Sequence, residues 1–90
     1  MIIGLNTLFG QEPIHIYGDI KSGIYQPIEG VTIKTIKGLS STVSDDKGRF
    51  ETILLFTTDT LLITKAGYKP TKIVITQKTI NVLHIKLKQI

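Results

Sequence analysis

The 90-residue chain has no cysteine, which excludes disulfide bonds and thiolate metal sites as supports for its fold. Alanine occurs once, at Ala66, and long runs of strong helix formers are missing. Extended helices are therefore not expected. No stretch approaches the ~20 consecutive apolar residues of a membrane-spanning helix. Acidic residues stop at Asp59, although Lys65, Lys69, Lys72, Lys78, Lys86 and Lys88 all lie beyond it. Neither a phosphate-cradling glycine loop nor a Gly-x-Ser-x-Gly elbow is present.

What the chain does contain is strand chemistry. Hydrophobic residues make up 41% of it, dominated by isoleucine, leucine and valine, with many threonines. Branched side chains of this kind suit a pleated, half-buried surface. At this length there is room for one core, and net stability should be about 5–10 kcal/mol. The formal charge is +4, and every basic residue except Arg49 is a lysine. Lysines spread along strands keep sheet edges soluble and unpaired, so the basic bias reads first as a solvated face.

Hydrophobic alternation marks seven segments. Ile14, Ile16 and Ile20 alternate with His15, Tyr17 and Asp19, and Gly18 on the apolar side marks a bulge or a closely approaching backbone. A loop rich in breakers runs from Lys21 to Gly30, where Pro27 delays the next strand. Val31 to Ile36 form the second segment, ended by Gly38, and Ser40 to Ser44 a short polar third. Phe50 to Leu55 are the fourth, with a bulge expected after Thr52. Thr58-Asp59 reads as a turn before Leu61 to Lys65. Lys72 to Thr76 and Val82 to Lys88 complete the set, with Gln77 to Thr79 turning the chain between them. Seven short strands spaced roughly 8–12 residues apart predict an all-β, seven-stranded β-sandwich of the prealbumin-like or Ig-like Greek-key type. No crossover helix fits between the strands, so the sheets are expected to be largely antiparallel.

The most informative stretch is Ser44-Asp45-Asp46-Lys47-Gly48-Arg49-Phe50. The Asp45 side chain is placed to bond backbone amides, and Gly48 accepts the positive φ of a tight reversal. The reversal delivers Phe50 onto the buried face of the next strand.

These pieces, taken in order, resemble the carboxypeptidase-regulatory-like domain, a transthyretin-like sandwich. The resemblance is carried by Tyr17-Gly18-Asp19, by Pro27-Ile28-Glu29-Gly30-Val31-Thr32-Ile33 and by Gly38. It continues through Thr42-Val43-Ser44-Asp45-Asp46-Lys47-Gly48-Arg49-Phe50, Leu61-x-Ile63-x-x-x-Gly67-Tyr68-Lys69 and Ile85-Lys86-Leu87. It spans about residues 13–88, within a domain taken as 12–90. It implies an accessory module of the bacterial cell envelope, such as the N-terminal extension of a SusC-like TonB-dependent outer-membrane receptor in Bacteroidetes-type bacteria. Gly30, Asp45, Gly48, Phe50, Gly67 and Tyr68 then take structural roles, with Gly67 bending the chain so that Tyr68 covers one end. Residues 1–11 are apolar and end in Phe9-Gly10-Gln11. Two readings stay open for them: the tail of an export signal, which the envelope context favours, or an additional strand.

Chemistry is sparse. His15 and His84 fall on outward faces and would come close if the first and last strands pair, but no third metal ligand accompanies them. Asp45-Asp46 lacks the alternating oxygens of a calcium loop. Asp19, Glu29, Glu51 and Asp59 are scattered near turns or on polar faces, and Ser22, Ser40, Ser41 and Ser44 sit in turns or edges with no assigned base. The C-terminal Lys86-Leu87-Lys88-Gln89-Ile90 also lacks the Tyr-Arg-Gly-Ser ending of hydroxyisourate hydrolase, an enzyme of the transthyretin-like fold. No enzymatic role, cofactor or metal is expected, and no nucleic-acid site. The function expected is a structural or interaction module, exported to the periplasm, outer membrane or cell surface, meeting an envelope protein or the rest of a larger receptor. The alternative is a small carbohydrate- or peptide-binding sandwich using Tyr25 and Tyr68 at one end.

Overall fold

The computed structural model describes residues 14–76 and 82–90; the proposed export segment 1–11 and the Gln77–Thr79 turn lie outside them. Seven strands run in order: β1 (Ile14–Lys21), β2 (Thr32–Thr35), β3 (Ser41–Val43), β4 (Arg49–Leu54), β5 (Asp59–Thr64), β6 (Thr71–Ile75) and β7 (Val82–Lys86). They form a three-stranded sheet in the order β4-β1-β7 and a four-stranded sheet in the order β3-β2-β5-β6. The protein is an all-β sandwich, as the alternation predicts.

The core lies where the inward faces meet. Ile16, Ile20, Phe50, Leu54 and Ile85 come from the three-stranded sheet, and Ile33, Leu61, Ile63 and Ile75 from the other. Ile28, Val31 and Leu87 close the gap from flanking segments. Burying side chains of this size contributes about 1.5–3 kcal/mol each, the term that offsets chain entropy in so small a domain.

Four strand pairs are antiparallel, but β1 and β7 are parallel, with Tyr17 opposite Val82 and Lys21 opposite Lys86. A purely antiparallel arrangement therefore does not hold at this pair. The connection between β1 and β7 is most of the chain, passing through the whole second sheet, so a parallel pair forms here without a crossover helix.

Two further expectations change. The β4 register against β1 runs unbroken from Arg49 to Leu54, with no bulge. Phe50, Thr52 and Leu54 all face inward, and the threonine hydroxyl lies 3.5 Å from the Ser40 hydroxyl. A polar residue on the buried face gave the pattern its apparent slip. Gly18 likewise carries no bulge. It makes room for Phe50: a Cβ there would sit 2.6 Å from the phenyl ring and 2.8 Å from the Leu83 carbonyl oxygen.

Candidate functional site

The strands deliver two opposite ends. At one gather the loop after β1, the β3–β4 turn, the β5–β6 connection and the segment after β7. At the other gather the β2–β3 and β4–β5 turns.

The first end is tied by serines and an aspartate. Buried Ser22 accepts hydrogen bonds at Oγ from the amides of Ile24 and Gln26, both at 3.3 Å, and its own amide donates to the Gln26 carbonyl at 2.8 Å. Buried Ser44 accepts from the Val31 amide at 2.9 Å and donates to the Ile28 carbonyl at 2.7 Å. Asp45 accepts from the amides of Lys47 and Arg49 at 2.9 and 2.8 Å. The Arg49 amide is the main reason its carboxyl is held below the ordinary value; desolvation opposes this, and the Lys47 amide and both neighbouring cations add to it. Gly48 adopts a φ of 74°, and its position leaves no space for a side chain, since a Cβ would lie 2.5 Å from the Ile20 carbonyl. The Asp45–Gly48 reversal and the inward Phe50 are thus as the residues predict.

Tyr25 and Tyr68 both belong to this end but do not converge. Tyr68 is half-buried against the core and lines a cleft of about 530 Å³ with Ile24, Pro27, Glu29 and Lys88. Its strand-like bridge to Gln89 and the φ of 88° at Gly67 hold it there. Gly30, at a φ of 79°, donates its amide to the Ser44 carbonyl. Tyr25 faces a separate hollow of about 220 Å³ lined by Asp19, Lys21, His84, Ile85 and Lys86. It is 67% exposed and has a φ of 63°. A left-handed backbone is a true outlier for so bulky a residue and costs about 1–3 kcal/mol. The Lys86 ammonium sits 4.6 Å from the ring centroid and 3.4 Å from the Tyr25 hydroxyl.

The second end was not singled out by the sequence. Asp59 is 1% exposed, the first residue of β5 rather than part of an open turn. Its carboxylate accepts from the amides of Lys37 at 2.8 Å, Gly38 at 2.9 Å and Thr60 at 2.7 Å. Burial pushes its pKa up, yet the amide bonds together outweigh it and leave the carboxyl below the ordinary value. The clamp fixes the β2–β3 turn beside the β4–β5 turn. Four large apolar side chains are thereby presented to solvent: Ile36, Leu39, Leu55 and Phe56. Leu39 is 86% exposed and, like Tyr25, is left-handed, with a φ of 56°. A run of exposed leucine and phenylalanine beside Thr57-Thr58 was the available signal, and their alternation with core positions concealed it.

The histidines do not meet. His15 pairs with Glu51 at 2.8 Å and stacks against Tyr17, whereas His84 pairs with Asp19 at 3.0 Å. β1 and β7 do pair, but the register sets His84 beside Asp19, four residues along β1 from His15. No cluster of three potential metal ligands occurs among the described residues.

No family model matches the chain, and no curated protein does. Among solved structures it is similar to a chain in the crystal structure of a type II cohesin–X-dockerin complex from Acetivibrio cellulolyticus, a C-terminal interface mutant. The TM-score is 0.60 at 24% identity, covering 81% of this chain and 51% of that one. The likeness is one of fold. This chain spans about half the length of that neighbour.

Proposed function

We propose that this protein is a non-catalytic interaction module of the bacterial cell envelope, docking onto a protein partner through the end that carries Ile36, Leu39, Leu55 and Phe56. The observation that carries this reading is the quartet itself, held outward by a buried carboxylate. Exposed apolar side chains gathered on a rigid frame mark contact surfaces, and each leucine or phenylalanine contributes about 1.5–3 kcal/mol when fully covered. The left-handed Leu39 supports it, since backbone strain concentrates where a side chain must be displayed. The envelope setting, and kinship with the accessory domains of TonB-dependent receptors, draw on the resemblance to carboxypeptidase-regulatory-like domains.

A photoreactive amino acid at position 39, in cells that make the chain natively, tests this reading. Adducts to an envelope protein are expected, lost when Phe56→Asp is added and absent when the probe stands at Lys47. No adduct at position 39 would remove the docking role. Adducts confined to the cytoplasmic fraction would remove the envelope setting.

A further inference from the structure

We propose that the hollow beside Tyr25 is a binding site for a singly charged acidic sugar, a hexuronate ring. This site is at the opposite end from the docking quartet and does not depend on it. Three observations point the same way. Lys21 and Lys86 face each other across the β1–β7 register, on the solvent side of the sheet. Like charges placed opposite one another repel, and a bound anion relieves that repulsion. Both lysines line the hollow.

Tyr25, next, forms part of the wall in a conformation that a tyrosine adopts only at a cost. Ser22 holds the loop that imposes it. Lys86 sits over the ring and at its hydroxyl; at 67% exposure the ring still offers apolar surface to the C–H groups of a pyranose. The third observation is the Asp19–His84 pair on the same wall. The histidine side chain is 75% exposed, so its second ring nitrogen can meet a ligand, and the carboxylate can accept from sugar hydroxyls.

The carboxylate of Asp19 also sets the ligand's charge. Beside two ammonium groups it tolerates one further negative charge better than the two of a phosphate monoester. Size sets the rest: about 220 Å³ is below the ~300–1,000 Å³ of pockets for drug-sized ligands, which suits a single ring. The carboxylate of the sugar lies between Lys21 and Lys86, its ring against Tyr25, and its hydroxyls toward Asp19 and His84.

The test is a titration of the full chain, followed by amide chemical shifts, with sodium D-glucuronate, D-glucose and sodium acetate in parallel. Glucuronate is expected to bind in the millimolar range, the scale of a single ring in an open site, with shifts centred on Lys21, Tyr25, His84 and Lys86. Glucose and acetate should each bind at least tenfold more weakly. Lys86→Gln should weaken glucuronate tenfold or more. Tyr25→Asn, which accepts the left-handed backbone without the ring, should abolish binding while its thermal midpoint stays level or rises. Leu39→Ser should leave binding unchanged. Equal binding of glucose would overturn the role of the lysines, and equal binding of acetate would overturn the sugar. Shifts centred elsewhere, or full affinity in Lys86→Gln, would overturn the site.

Discussion

The two ends of the sandwich solve one problem differently. Each must hold a loop outside the sheets, and each uses a short oxygen-bearing side chain to gather backbone amides. At the end bearing Tyr25 the task is shared among Ser22, Ser44 and the exposed Asp45. At the end bearing Leu39 one buried carboxylate, Asp59, takes three amides alone. The shared arrangement leaves charged groups and hollows on the surface beside the exposed Ile24 and Ile90; the concentrated one leaves Ile36, Leu39, Leu55 and Phe56. On the readings proposed above, the first end takes a small polar ligand and the second a protein. Both spend backbone strain to display one side chain, which makes the strain testable at each end separately.

Substitutions can break the comparison in order of size. Gly48→Val should be the most damaging, on the order of 4 kcal/mol, because it combines a left-handed β-branched residue with a Cβ driven into the Ile20 carbonyl. A urea midpoint within error of the parent would show that this turn relaxes freely. Asp59→Ala strands three amides and should cost about 3 kcal/mol. Ser44→Ala strands fewer and should cost about 1–2 kcal/mol. Equal losses for the two would erase the contrast between concentrated and shared anchoring.

Acid sharpens the same contrast. Both aspartates have lowered folded pKa values, so each contributes stability that is fully present above the unfolded value near 3.9 and is lost as pH falls through the folded value. Asp45 is exposed and its share is screened by solvent. Urea midpoints should therefore fall below about pH 4 in the parent, and much less steeply in Asp59→Asn. An unchanged slope would move the acid sensitivity elsewhere. The smallest effects concern strain: Leu39→Gly and Tyr25→Gly should each leave stability level or raise it by about 0.5–1 kcal/mol, measured by thermal melts. A loss at either position would mean that the side chain packs rather than projects.

Much of this architecture was legible in the residues. Hydrophobic alternation together with the turn signals between segments placed all seven strands, and the Asp45–Gly48 sequence announced its own turn because the bonds it makes are local. Asp59 was not legible: its amide partners at Lys37 and Gly38 are more than 20 residues away in sequence, and an acid after Thr58 reads as a solvated turn. Thr52 was misread because threonine suits both faces of a strand, so its hydroxyl on the inner side looked like a break in phase. The left-handed Tyr25 and Leu39 carried no signal at all, since neither is glycine, asparagine or aspartate. Their conformations are imposed by surrounding hydrogen bonds. The tyrosine pair expected to act together, Tyr25 and Tyr68, shares an end without sharing a hollow.

The parallel pairing of β1 with β7 has a mechanical consequence. The first residue of β1 and the last of β7 lie at opposite ends of the pair, so tension applied through the two strands pulls along their length. The register from Tyr17–Val82 to Lys21–Lys86 is then loaded in shear, all rungs at once, instead of being opened one rung at a time like a zipper. A domain strung between two tethered neighbours would resist stretching through this one pair of strands, and would give way abruptly when it failed.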